Sequence, residues 1–425
     1  MTNKTSNYEQ GIEHLKNGCL FEAEVSFTEA VKEKPDDIYA YNKLAFVLKE
    51  QRKYKQAGKV LTRVLKISDN DLYSHYILGN THIDDMKYVE AMVDFERAIK
   101  IAPEDVYAWN SLALANKLAG NYEKAIECLN KAIELDFDDA YNHNSLALTY
   151  FATGDYDKAR SVLEAILDKT PNNAIILDSL GQMALHLGEL DESARLFSEL
   201  TKVQSHMYYG YLGLGLVAME DGYLTKAKEY LFEAFRRNEK EWTILAALAE
   251  VHRELEDYEK ASVYYEKAFE LNATHPSVVL GLGEMYEKQG LILLAWQKYM
   301  DVVSLAEEYA NGHYVLGRLY ASQMLPEKAR ESLTRAIELD PDDVYSYNCL
   351  GKLDFDLENF EEAVKSFRLV IGIEPLDDFA LLYLGKSFIA LERSEEAVKF
   401  LEMIINNGAE DDFLNETKEL LSQLK

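Results

Sequence analysis

Apolar residues recur at helical spacing in paired stretches along almost the whole chain, and the pair repeats every 34 residues. Twelve units fit without insertion or deletion: 4–37, 38–71, 72–105, 106–139, 140–173, 174–207, 208–241, 242–275, 276–309, 310–343, 344–377 and 378–411. With each unit numbered 1–34, position 7 is Leu in eleven of twelve (the exception is Gln10) and position 8 is always Gly or Ala. Position 20 is Ala in all but one unit, where it is Ser193, and position 24 is always Phe, Leu or Tyr. Small residues at 8 and 20 let two helix backbones approach, and the large residues at 7 and 24 fill the space between them. Each unit is therefore predicted to be a helical hairpin. Turn residues separate its halves, as in "AGNY" (119–122) and "TGDY" (153–156), while Pro at 32 in five units stops the second helix before Asp at 34 caps the next. The ends depart in the polar direction that an array requires, with Asn7 and Gln10 on the first helix. A closing helix is expected at 412–425, with Phe413, Thr417, Leu420, Leu421 and Leu424 on one stripe.

In unit four, Trp109, Leu112, Ala113, Tyr122, Ala125, Leu129 and Ala132 stand at the signature positions of a known repeat. With its period, the pattern resembles the tetratricopeptide repeat (TPR) family. The resemblance implies an all-α fold, a right-handed superhelix or α-solenoid whose first helices line a concave groove. It also implies a protein- or peptide-binding scaffold or adaptor.

At about 100° per residue, positions 4, 7, 8 and 11 of the first helix share one face and positions 2, 5, 9, 12 and 13 the opposite one. The second face should line the groove. Position 2 carries Tyr39, Tyr73, Tyr107, Tyr141, Tyr209 and Tyr345; position 5 carries Asn42, Tyr76, Asn110, Asn144, Tyr314 and Asn348. Amides can donate to and accept from an extended peptide backbone, and tyrosine offers a rigid face with a polar tip. The candidate groove residues are thus Tyr39, Asn42, Tyr73, Tyr76, Asn80, Tyr107, Asn110, Tyr141 and Asn144. The competing expectation is that each Tyr packs on the neighbouring helix and each Asn bonds its own backbone. Some TPR proteins place a groove asparagine at position 6, which rotates the amide by about 100° relative to position 5. The TPR clamp for acidic peptide tails is not predicted, because Tyr76 stands where its lysine belongs beside Asn80.

Composition narrows the function. The net charge of −29 disfavours nucleic acid and anionic membrane surfaces as partners. No apolar run suits a signal peptide or a membrane span, so a cytoplasmic protein is expected without membrane insertion. Cys19, Cys128 and Cys349 form no C-x-x-C and are expected to be small buried or half-buried thiols. "GYLGLG" (210–215) lies inside a predicted helix rather than after a strand, so its glycines are read as packing positions. His75, His143 and His313 fall at position 4 and His14, His82 and His252 at position 11, on the packing side. No metal, cofactor or catalysis is expected.

Two surfaces depart from the repeat. Lys55, Lys59, Arg63 and Lys66 form a basic stripe on a second helix. Residues 1–71 hold 12 basic and 11 acidic groups, whereas 340–425 hold 8 and 20, so head-to-tail contact between copies is one expectation. In unit nine the usual "DYEKA" becomes "LILLA", and Leu291, Leu293 and Leu294 with Met324 and Leu325 of the next turn could form an apolar contact edge. The alternatives to an adaptor are a regulatory or substrate-selecting subunit of an enzyme complex, such as a glycosyltransferase partner, and a structural homo-oligomer.

Overall fold

The computed structural model describes residues 6–407 and 411–424. The expected unit edges at residues 4–5 and 408–410, and the final position of the expected closing helix, Lys425, lie outside them. The described residues form helices and turns without a strand. Two compact units divide the chain, Met1–Val217 and Ala218–Lys425.

The first unit holds α1 (Asn7–Lys16), α2 (Leu20–Glu33), α3 (Ile38–Glu50), α4 (Tyr54–Ile67), α5 (Leu72–Asp84), α6 (Tyr88–Ile101), α7 (Val106–Leu118), α8 (Tyr122–Leu135), α9 (Ala140–Ala152), α10 (Tyr156–Leu167), α11 (Ala174–His186) and α12 (Leu190–Val203). After α13 (Tyr209–Glu220) come α14 (Leu224–Arg237), α15 (Trp242–Glu254), α16 (Tyr258–Leu271), α17 (Pro276–Lys288), α18 (Ile292–Leu305) and α19 (Ala310–Ser322). The chain closes with α20 (Pro326–Leu339), α21 (Val344–Asp356), α22 (Phe360–Ile373), α23 (Asp378–Ala390), α24 (Ser394–Asn407) and α25 (Asp411–Leu424). This is an all-α solenoid of helical hairpins.

Each hairpin turn carries one residue with left-handed backbone, and these recur every 34 residues from Gly18 to Glu392. Glycine fills half of them, for example Gly120 at φ 78°, where it carries no Cβ penalty. Non-glycine residues, such as Glu256 at φ 58°, adopt the same geometry at the others. At the next junction an aspartate caps the following first helix: Asp105 Oδ1 accepts from the Tyr107 amide at 2.8 Å and Asp139 Oδ1 from the Tyr141 amide at 2.9 Å.

The core is layered rather than central. In the hairpins with glycine at position 8, such as those of Gly79, Gly181 and Gly351, the large position-24 side chain covers it. Phe95 and Phe367 are fully buried over Gly79 and Gly351, where an added Cβ would lie 2.6 and 2.8 Å from the ring. Phe197 is clasped twice: a Cβ on Gly181 would stand 2.9 Å from its ring, and one on Gly213 2.3 Å. Within "GYLGLG", Gly213 thus admits the Phe197 ring, and a Cβ on Gly210 would stand 2.8 Å from Thr201 Cγ2, so these two glycines are packing positions. In α25, Phe413, Leu420, Leu421 and Leu424 pack with Leu381, Leu382, Leu401 and Ile404, and Thr417 is fully buried.

Several successive first helices touch, as α3 does α5, α5 does α7, α9 does α11 and α21 does α23. Among the described residues successive second helices do not pack in this way. The first helices thus form the inner face of each unit, and their side chains furnish the candidate site.

Candidate functional site

The position-2 tyrosines project from this inner face. Tyr39 is 77% exposed, and Tyr73, Tyr107, Tyr141, Tyr209 and Tyr345 are also exposed. Leu114 and Leu148, at position 9 of α7 and α9, are exposed among them. Tyr107 is held in place, with its ring edge-on to Tyr76 at 4.8 Å and its hydroxyl accepting from Asn80 Nδ2 at 3.0 Å.

Position 5 behaves differently from either expectation drawn from sequence. Asn42 is buried, and its Nδ2 donates to Asp71 Oδ2 at 2.9 Å while its Oδ1 accepts from the Ser74 hydroxyl at 2.7 Å. It bonds the next helix's capping residue rather than its own backbone, and its burial keeps it from a ligand. Tyr76 likewise donates its hydroxyl to Asp105 Oδ2 at 2.5 Å. Burial first, and then that carboxylate, hold the Tyr76 hydroxyl well above the usual phenol pKa. Asn348 Nδ2 donates to Asp377 Oδ2 at 3.3 Å. The aspartate at position 34 therefore caps its own helix and receives the donor from the preceding first helix, which fixes the register between hairpins.

This pairing lapses in the middle of the first unit. Asn110 Nδ2 turns instead to Asn142 Oδ1 at 2.5 Å. Opposite Asn144 stands Asn173, whose Oδ1 is occupied by the Ile175 and Ile176 amides at 3.1 and 3.3 Å. Position 5 of α11 is Asp178, and the residue 29 positions on, Met207, offers no polar side-chain partner of comparable strength. Among the described residues Asn110 Oδ1, Asn144 Oδ1 and Asp178 Oδ1 are buried without a donor, in the same register on three consecutive first helices; Asn348 Oδ1, at position 5 of α21, is also without one although its amide reaches Asp377. An open cleft of about 450 Å³ lies between α9 and α11, bounded by Asn144, Leu148, Phe151, Asp178, Gln182 and Met183. Burial raises the Asp178 carboxyl pKa, opposed only by a 3.5 Å bond from Gln182 Nε2 to Oδ2. Asp178 was not among the residues singled out from sequence; the readable signal was an acid at position 5 facing methionine at 34.

A TPR repeat model matches residues 117–154, and tetratricopeptide repeat models match 95–127, 144–206, 243–275, 310–343, 344–375 and 379–407. The chain belongs to the tetratricopeptide repeat family. No curated protein matches it in sequence. Among solved structures, one titled "Crystal structure of APC/C hetero-tetramer Cut9-Hcn1" is similar with a TM-score of 0.55 and 12% identity. That match covers 91% of this chain and 96% of the other, a likeness of fold. Membership in this family makes the chain a protein-interaction scaffold.

The remaining features of this TPR chain fall mainly to structure. His75, His143, His252 and His313 are buried as packing residues. His75 Nε2 and His313 Nε2 each share a 3.0 Å bond with a backbone carbonyl, of Asp69 and Glu307. Cys128 is buried, which pushes its thiol up to about 11, and Cys349 is half-buried. Cys19 departs from expectation: it is exposed, because it occupies the hairpin turn ahead of α2 rather than a packing face. Among the described residues no group of three or more His, Cys, Asp or Glu could hold a metal ion, and no helix is long and apolar enough to cross a membrane.

Asp94 is a buried acid between two rings, 2.7 Å from His82 Nδ1 and 3.9 Å from His75 Nδ1. This carboxylate raises the His75 pKa from 6.5, outweighing the burial that lowers it. A raised histidine pKa means that the folded chain holds the proton more tightly than the unfolded chain. The resulting stabilisation is complete below the unfolded value and is lost as pH rises through the folded one. Urea midpoints of the native chain and Asp94→Asn, measured from mildly acidic to alkaline pH, should differ most below the unfolded histidine value of 6.5 and converge as pH rises. A constant difference would contradict this assignment.

The two outer surfaces are both solvent-facing. Lys55, Lys59, Arg63 and Lys66 are all exposed on α4, with the Arg63 guanidinium 5.2 Å from the centre of the Tyr41 ring. Leu293 is 82% exposed and Met324 88%, with Leu291, Leu294 and Leu325 exposed beside them. Trp296 Nε1 donates to the Tyr320 hydroxyl at 3.0 Å and so ties α18 to the end of α19 at this edge.

Proposed function

We propose that this chain is a non-catalytic adaptor whose inner face, on the first helices of residues 38–207, captures an extended peptide segment of a protein partner. The observation that carries the reading is the register of donor-less acceptors at Asn110, Asn144 and Asp178 beside exposed Tyr107 and Tyr141. A buried acceptor without a donor costs the fold free energy, and a peptide's backbone amides would supply what is lacking. Tyrosine adds contact area at small cost in conformational freedom. Of the groove residues expected from sequence, Tyr39, Tyr73, Tyr107, Tyr141, Asn110 and Asn144 remain in the proposal, with Asn80 and Tyr76 as supports for Tyr107. Asn42 is excluded by its burial and its bonds to Asp71 and Ser74. No cofactor is invoked. The twelve-unit division and the closing helix, both read from sequence, are retained as the working domain description. Binding of a partner to immobilised native chain, compared with a Tyr141→Ala and Asn144→Ala double variant, tests the reading.

A second reading is self-association through the apolar edge, favoured by the exposure of Leu293 and Met324. Because Leu293 and Leu294 are exposed, changing both to Glu should leave the melting temperature nearly unchanged and lower the mass seen by light scattering. An unchanged mass would remove this edge as an oligomer contact. Basic-stripe contact between copies predicts in addition that the mass falls with added salt.

A further inference from the structure

The cleft between α9 and α11 differs from the rest of the inner face in one chemical respect. Where Asn110 and Asn144 present amides, α11 presents a carboxylate, which can only accept when ionised. Asp178 Oδ1 is buried and has no partner, and Oδ2 has only the long bond from Gln182. Among the described residues no basic side chain offsets its charge; burial and that one amide govern its titration. Folding gains nothing evident from such a group, because an uncompensated buried charge is destabilising. Around it, Leu148, Phe151 and Met183 supply apolar walls, and Leu148 remains exposed on the open side. The ring of His186, also in the cleft, packs edge-on against Phe151 at 4.9 Å. A carboxylate beside apolar walls complements a long aliphatic stem that ends in a cation.

We propose that this cleft is a subsite for a lysine or arginine side chain of the bound peptide, its cationic head on the Asp178 carboxylate and its stem along Leu148, Phe151 and Met183. The identity of the carrier, an extended peptide, rests on the groove reading above; the cation site itself does not. The Asn110 and Asn144 acceptors on the two preceding helices would then hold backbone amides of the same segment.

The test has two arms, both on the full chain. First, n-butylguanidinium is titrated while the Met183 methyl is followed in protein labelled at its methionine methyls. A saturable shift is expected with n-butylguanidinium, at least tenfold weaker or absent with neutral n-butylurea, and lost in Asp178→Asn. Equal response to the two probes, or an unchanged response in Asp178→Asn, overturns the site. The variant should melt no lower than the native chain, since the carboxylate it removes is unpaired. If it fails to fold, the comparison of the two probes on the native chain decides the matter.

The second arm uses dodecapeptide libraries that are random except for a central Lys, Arg, Gln or Glu. The native chain should retain the Lys and Arg sets at least tenfold over the others, with the bias gone in Asp178→Asn. Retention without a bias overturns the cation site and leaves the groove standing. A guanidinium response with no peptide retained leaves the cation site and overturns the groove.

Discussion

Replacing Phe197 by alanine is expected to cost roughly 3–5 kcal/mol, the range for emptying a fully buried aromatic site. The ring is 1% exposed and is clasped by Gly181 and Gly213, whose backbones cannot close in to refill the space. A solenoid has no single core, so the damage should remain local. Hydrogen exchange should report lost protection in α11 and α12, while α3 and α4 keep theirs. Uniform loss across the first unit would instead mean that it unfolds as one cooperative body. The reverse change is also informative. Gly213→Ala drives a methyl into the ring and should cost roughly 1–3 kcal/mol, and its effect should shrink in a Phe197→Leu background, because the two residues contend for the same volume.

The second large effect concerns binding. Tyr141→Ala with Asn144→Ala should weaken partner capture at least tenfold, equivalent to about 1.4 kcal/mol, with little change in helicity or melting. Tyr141 is exposed and Asn144 Oδ1 has no partner to lose. Tyr107 and Asn110 are poorer choices for separating binding from folding. Tyr107 supports Asn80 and Tyr76, and removing Asn110 strips the donor from Asn142 Oδ1, on a fully buried residue. That loss alone should cost roughly 1–3 kcal/mol. A groove variant that included Asn110 would confuse lost binding with lost structure. Normal capture by the Tyr141→Ala, Asn144→Ala protein would locate the partner elsewhere.

The fold was legible because packing writes itself into every repeat. Glycine or alanine at position 8 and a large side chain at 24 state a helix contact in residue volumes, and Gly79 under Phe95 is that contact in space. The exposure of the position-2 tyrosines was legible from helical periodicity in the same way. Hydrogen bonding at position 5 was not, because it depends on a residue 29 positions away across a hairpin. Asn42 and Asn144 look alike in sequence, yet one faces an aspartate at 71 and the other an asparagine at 173. Positions 5 and 34 read together single out Asp178, an acid opposite Met207, but they do not mark the orphaned amides, since Asn110 and Asn348 face Asp139 and Asp377 and their Oδ1 atoms still find no donor among the described residues. Cys19 was misjudged for a related reason: helical periodicity predicts faces of helices, and Cys19 stands in a turn.

The central claim is that the inner face of α7, α9 and α11 takes the partner, and site-specific crosslinking tests it most directly. A photoreactive benzoylphenylalanine is placed either at position 141, on the inner face, or at position 59, on the outer face of α4. Irradiation with extract from the source cells should give a single partner adduct from position 141, abolished by Asn144→Ala, and none from position 59. Adducts from position 59 alone, or equally from both, would contradict the account.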